Sequence, residues 1–340
     1  MTGQDGVAEG SAGYGKLLLI ALALLIVAGA FVWWRAPQHQ AGGGSSAPLV
    51  VGDQRGGIQA LLRAAGELDD VPYKIDWALF PAASPLLEAL GSDAIDLGGV
   101  GSAPFAFAYA GGAPIKAVFA TRQIGGHGGK GSAIIVPRNS PLSTLADLRG
   151  KRVATVRGSA GQNLVLRLLE QQGIGFNEVK WVYLNNGEAK AALEAGSIDA
   201  WSTWGSYAGI ALLKDGDRAI GDGTALPPET GFYAASNKAI ADKRAQLTDF
   251  LQRAARARVW ALSHQEDYAK VLAQETGIPL DVARFTVAQN LTRPIAIDDS
   301  LRAEQTAILD RYRRAGVISS VPNLAGAFDP SFNAAVATAR

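Results

Sequence analysis

Leu87-Glu88-Ala89-Leu90-Gly91-Ser92-Asp93-Ala94-Ile95-Asp96 is echoed about a hundred residues later by Leu193-Glu194-Ala195-Gly196-Ser197-Ile198-Asp199. In each copy a helical run stops at Gly-Ser and a strand opens at Ile-Asp. A second Gly-Ser pair follows that strand, Gly101-Ser102 in one copy and Gly205-Ser206 in the other. Taken alone, each stop is ordinary helix C-cap chemistry, in which glycine accepts a left-handed backbone. Less simply explained is the shared order, which places Gly-Ser where the next helix begins in both copies. Two similar α/β lobes would do this. Each would aim its turns at the carboxyl edge of its sheet, where open α/β folds bind ligands.

Outward from the echo the alternation continues. Strand-like runs fall at 49–52, 73–80, 94–98, 115–121, 132–136, 152–156, 179–184 and 198–203. Helical runs at 58–68, 85–90, 103–109, 162–172 and 189–195 separate them, and from Lys243 the chain reads as mostly helical. This pattern predicts an α/β fold with parallel sheets covered on both faces.

Composition bounds the rest. A chain of 340 residues, 48% hydrophobic and 19% charged, can bury a large core as two domains or one two-lobed domain. Lys+Arg number 32 against 31 Asp+Glu, and with no basic run a nucleic-acid partner is excluded. Cysteine is absent, which removes disulfides, thiolate metal sites, cysteine nucleophiles and a lipidated cysteine together. His39, His127 and His264 are too scattered to hold a metal, so no metal or cofactor is expected. Gly126-x-Gly128-x-x-Gly131 matches a dinucleotide fingerprint as text, but a strand follows it where a helix is needed.

From Leu17 to Trp34 no charge interrupts the apolar run, which Lys16 and Arg35 bound and Trp33-Trp34 close. A helix of that length suits a thin bilayer, with tryptophans at its boundary. The reading is an N-terminal hydrophobic helix in residues 1–35, an inner-membrane anchor or a signal segment cut near Ala28-Gly29-Ala30. Residues 36–48 then read as a Gly/Ser/Pro linker.

Four strand-to-helix junctions share one chemistry: Gln54-Arg55-Gly56-Gly57, Gly101-Ser102-Ala103, Gly158-Ser159 with Asn163, and Trp204-Gly205. A helix N-terminus leaves backbone N–H groups free, and glycine lets a ligand approach them. N-capping without a ligand explains any one junction; four in two matched lobes point to a shared oxyanion site. Phe80 and Trp201 are candidates for a wall against a carbon tail, with core packing as the competing role. Arg55, Arg122 and Arg157 stand near the same strand ends, as added charge or as solvated rim.

These motifs resemble one family. They are joined by Phe80-Pro81-Ala82, Pro141 to Lys151, Asp199-Ala200-Trp201 with Trp204, and Thr230-Gly231-Phe232-Tyr233. The chain is similar to substrate-binding proteins of ABC importers for aliphatic sulfonates, with taurine and nitrate binders as cousins. The resemblance implies a two-lobed periplasmic-binding-protein fold (type II), with one lobe from 49–122 and 231–340 and the other from 123–230. It also implies a periplasmic monomer that closes on a small organic anion and delivers it to a membrane permease and its ATPase. Nitrate or thiamine-pyrimidine binding, or an enzyme on the same fold, are the alternatives. The family often carries Asp where this chain has Ser102 and Gly205. Without those carboxylates the expected ligand is a sulfonate lacking an amine.

Overall fold

β1 (Leu49–Gln54) runs from the start of the described chain straight to the first of these junctions. The computed structural model describes residues 47–125 and 129–337. The expected N-terminal helix over 17–34, most of the linker and His127 lie outside them. Among the described residues no helix is long and apolar enough to cross a membrane, and no His/Cys/Asp/Glu cluster could hold a metal ion.

After β1 come α1 (Gly57–Ala64), β2 (Ile75–Phe80), α2 (Ala83–Gly91), β3 (Leu97–Gly101), α3 (Ser102–Ala110) and β4 (Ile115–Gln123). The chain then crosses into a second sheet through β5 (Ser132–Val136) and β6 (Arg152–Thr155). There follow α4 (Ala160–Gln171), β7 (Lys180–Tyr183), α5 (Asn186–Glu194), β8 (Ala200–Trp204), α6 (Gly205–Ile210) and β9 (Arg218–Asp222). It returns through β10 (Thr230–Ser236), α7 (Asn237–Asp242), α8 (Arg244–Ala261), α9 (Gln265–Thr276), α10 (Leu280–Gln289), β11 (Thr292–Ile295), α11 (Asp299–Arg314) and α12 (Asn333–Ala337).

The sheet orders are β11-β4-β10-β3-β1-β2 and β7-β6-β8-β5-β9. β1 is parallel to β2 and β3, and β6 to β7 and β8. The expectation of purely parallel sheets is corrected: β10 runs antiparallel to β3 and β4, and β5 to β8 and β9. β11 at the edge also runs antiparallel to β4, and the other two reversed strands, β5 and β10, are each the first strand of a crossing segment. A chain arriving from the other sheet enters at the edge facing it, and so travels against the strands that end there.

The echo now has a physical content. Asp96 Oδ2 accepts from the Val50 amide at 2.7 Å, and Asp199 Oδ2 accepts from the Arg152 amide at 2.7 Å. In return the Asp96 and Asp199 amides donate to the carbonyls of Val50 and Arg152 at 2.8 and 2.9 Å. The repeated Ile-Asp therefore pins each parallel pair in register at the edge away from the junctions. A cation completes each lock: Lys243 Nζ lies 2.6 Å from Asp96, and the Arg152 guanidinium reaches Asp199 at 3.0 Å.

Leu49, Val51, Leu62, Leu97, Phe119 and Phe250 pack one face of the first sheet beneath α1 and α8 to α10. Leu86, Leu90, Phe105, Phe232, Leu309 and Tyr312 fill its other face beneath α2, α3 and α11. That second cluster also takes in Leu166 of α4, so apolar packing runs from one lobe into the other. The second sheet is covered on both faces as well, with Ile134, Val153 and Leu164 on one side and Ile135, Ala154 and Trp201 on the other.

Candidate functional site

A cavity of about 350 Å3 lies between the carboxyl edges of the two sheets, a volume suited to a small molecule. Gln54, Arg55, Gly57 and Gly101 line it from the first lobe; Ser159, Ala160, Trp204, Gly205, Ser206 and Tyr207 line it from the second. The crossing segments supply Gln123, Ser132, Glu229 and Thr230. Three helices, α3, α4 and α6, begin at this cavity, and the first amides of a helix have no intrahelical acceptor.

Seven of the candidate residues read in the sequence thus meet at one cavity: Gln54, Arg55, Gly57, Gly101, Ser159, Trp204 and Gly205. Gln54 Nε2 donates to the Gly99 carbonyl at 2.8 Å, which fixes its amide across β1 and β3. Gly205 adopts φ +59, its amide donates to the Gly131 carbonyl at 2.7 Å, and nothing lies within 4 Å of where a Cβ would stand. Ser159 is mainly a cap. Its Oγ accepts from the Gln162 amide at 3.2 Å and sits 3.3 Å from Thr155 Oγ1, while its carbonyl accepts from Tyr312.

The other candidates do not line the cavity. Gly56 faces Thr276 from the N-cap of α1, and the Ala103 side chain is buried in the core beside Ser102 at the start of α3. Gly158 lies against the Phe107 ring, too close for any Cβ. Asn163 turns away, its Oδ1 accepting from Arg311 at 3.3 Å. Phe80 packs on the core under α2, and Trp201 is 1% exposed with its ring edge-on to Tyr207. Among the arginines, Arg122 is held by Glu304 at 2.7 Å, and Arg157 donates to the Val317 carbonyl.

The first junction is occupied by the chain itself. Asp53 Oδ1 accepts from the Ile58 amide at 3.0 Å and Oδ2 from the Gln59 amide at 2.8 Å, so a carboxylate already fills the N-terminus of α1. An external oxyanion has no place there. Burial raises the Asp53 carboxyl to about 6, against the pull of the Gln59, Ile58 and Gly57 amides and of Arg258.

Arg55 is unspent. Its backbone stands at φ +55, a conformation that costs a non-glycine residue energy and gathers at functional sites. Its Nε is buried without an acceptor, and its guanidinium lies 4.3 Å from the centre of the Tyr207 ring of the other lobe. No ion pair joins it to a carboxylate among the described residues. Arg258 stands behind the wall, donating to Thr292 Oγ1 at 2.7 Å and Tyr233 Oη at 3.1 Å.

Sequence reasoning left Arg55 between added charge and solvated rim, and missed Asp53, Tyr207, Glu229 and Arg258. An acid just ahead of Gly56-Gly57 was a readable cap signal for Asp53. Glu229 and Arg258 had no signal, because they reach the cavity from a crossing segment and a distant helix. The expectation of a cavity without carboxylates is corrected: both Asp53 and Glu229 line it. The substitutions at Ser102 and Gly205 removed acids from two turns only.

A model of the NMT1/THI5-like family matches residues 79–268. A protein of Escherichia coli (strain K12) named as an aliphatic sulfonates-binding protein is 36% identical over 237 residues, 69% of this chain and 73% of its own. The crystal structure of the periplasmic aliphatic sulphonate binding protein SsuA from Escherichia coli superposes with a TM-score of 0.70 at 32% identity. It covers 82% of this chain and 90% of that one. The alkanesulfonate-binding protein SsuA from Xanthomonas axonopodis pv. citri, bound to MOPS, gives 0.74 at 29% identity over 84% and 99% of the two chains.

Proposed function

This chain belongs to the NMT1/THI5-like family, and from that premise we propose that it is the extracytoplasmic solute-binding component of an ABC importer for alkanesulfonates. The observation that carries this reading is Arg55, a cation with no carboxylate, set in one cavity with the starts of three helices drawn from both sheets. A sulfonate stays ionised at physiological pH, so it needs hydrogen-bond donors and a fixed positive charge and no general base. The α3, α4 and α6 termini supply the amides, Arg55 the charge, and Trp204 and Tyr207 an aromatic flank. Nitrate would leave most of the 350 Å3 unfilled.

The event is capture followed by closure. The lobes 49–122 with 231–340 and 123–230 hinge at the two crossing segments, bringing the donors of both sheets onto one head group. Relatives named as periplasmic support a periplasmic place of action, and residues 17–34 would tether the protein to the inner membrane. Turnover belongs to the partner ATPase.

Isothermal titration of the purified protein tests this. Propane-1-sulfonate is expected to bind, and Arg55→Met to weaken it at least tenfold with the fold retained. Binding of nitrate or a pyrimidine in preference to every alkanesulfonate would overturn the reading.

A further inference from the structure

We infer that Tyr207, from the second sheet, is a positioning residue that holds the Arg55 guanidinium for the anionic head of the ligand. This rests on the sulfonate reading and deepens it, because Arg55 is the charge which that reading assigns to the head group. The central guanidinium carbon of Arg55 lies over the face of the Tyr207 ring, 4.3 Å from its centre. Both residues line the cavity, Arg55 between β1 and α1 and Tyr207 in the first turn of α6.

Arg55 is fixed at its base only. Its amide donates to the Phe80 carbonyl at 3.1 Å, and the left-handed backbone continues from Arg55 into Gly56 at φ +76. Further out the side chain has no polar tether: Nε is buried without an acceptor, and no carboxylate among the described residues pairs with the guanidinium. The Tyr207 end, by contrast, is a firm platform. Its ring packs on the core cluster that holds Ile135, Leu193 and Trp201, and Trp201 stands edge-on to it at 6.3 Å. The Gly205 amide, bonded to the Gly131 carbonyl, sets the start of the helix that carries it.

A guanidinium carries its N–H donors in its plane and stacks on aromatic rings through its face. A carboxylate partner would consume the donor fork. A ring partner steadies the charge against its negative face and leaves that fork free for an anion. The contact uses the ring and not the hydroxyl, so a phenylalanine would serve as well. Because the two residues belong to different sheets, the hold exists only while those sheets stand together at the cavity. Binding of the head group and apposition of the lobes are therefore coupled through one side chain.

Titration with propane-1-sulfonate tests the assignment. Tyr207→Leu, which removes the ring face, should weaken binding about five- to twentyfold, and Tyr207→Phe, which keeps it, less than about twofold. In an Arg55→Met background, Tyr207→Leu should cost less than about twofold, because the group it positions is gone. An undiminished loss in that background would make Tyr207 a wall residue and overturn the assignment. So would equal losses in Tyr207→Phe and Tyr207→Leu, or no loss in either. If the wild type binds no alkanesulfonate, the sulfonate reading falls by itself, and the unfolding midpoints of the same ligand-free variants decide the hold on Arg55. Shifts from Arg55→Met and Tyr207→Leu that fail to add support the hold, and additive shifts overturn it.

Discussion

Asp53 is 1% exposed, and it stands at one of the four helix starts where an external anion was expected. Its two oxygens hold the Ile58 and Gln59 amides, so Asp53→Ala should leave both unsatisfied at a cost of about 2–5 kcal/mol. The folded carboxyl titrates at about 6 against an ordinary 3.8, because burial favours the neutral acid. Between those pH values the folded chain holds a proton that the unfolded chain has released. The contribution of this group is therefore full below pH ~4 and declines as pH rises to about 6, a change of roughly 3 kcal/mol. Denaturant unfolding from pH 4 to 7 should show that decline in the wild type and not in Asp53→Asn. Parallel curves for the two proteins would exclude it.

Among the elements, α4 shows how local signals and packing combine. Ser159 caps it, Leu164, Val165, Leu168 and Leu169 give it one apolar face, and Gly173 at φ +62 ends it. What seats it on the sheet is Gly161, where a Cβ would lie 2.7 Å from the Ser202 carbonyl and 2.9 Å from Thr155 Oγ1. Gly161→Ala should cost about 1–3 kcal/mol by overpacking. Gly57→Ala, whose Cβ meets nothing within 4 Å, is the control and should change stability by no more than ~0.5 kcal/mol. Thermal unfolding of the pair checks the contrast. The helix-then-Ile-Asp echo was legible in the sequence because it is a short repeated motif; that its Asp locks the register to a strand 46 or 47 residues earlier was not.

For the molecule as a whole, the contacts between lobes set how long a ligand is held. α11 packs on the first lobe through Leu301, Ile308 and Leu309, and its Arg311 and Arg314 both reach Glu170 on α4 of the second. On the opposite flank Lys214 meets Asp281 at 2.6 Å, and Arg55 covers Tyr207 across the cavity. These contacts join elements of the two sheets while contributing little within either. Glu170→Gln should speed sulfonate release about two- to fivefold, as expected for a partly exposed ion pair, with the unfolding midpoint nearly unchanged. Stopped-flow tryptophan fluorescence reads the rate. An unchanged rate would place the hold on the ligand elsewhere.

The sequence by itself determined the alternation of strands and helices, the pairing of two like halves, the glycine junctions and the chemistry that missing cysteines exclude. Those follow from residue period, backbone freedom and contacts within a few positions. Only the tertiary structure decided which junctions remain open to a ligand. Asp53 closes one, Phe107 from the other lobe covers Gly158, and Arg311 takes Asn163. It also decided the reversed strands, and it brought Glu229 and Arg258 to a wall first laid down by Gln54 and Arg55. Whether a donor or a charge is free depends on every group that reaches it, and most of those groups come from far along the chain.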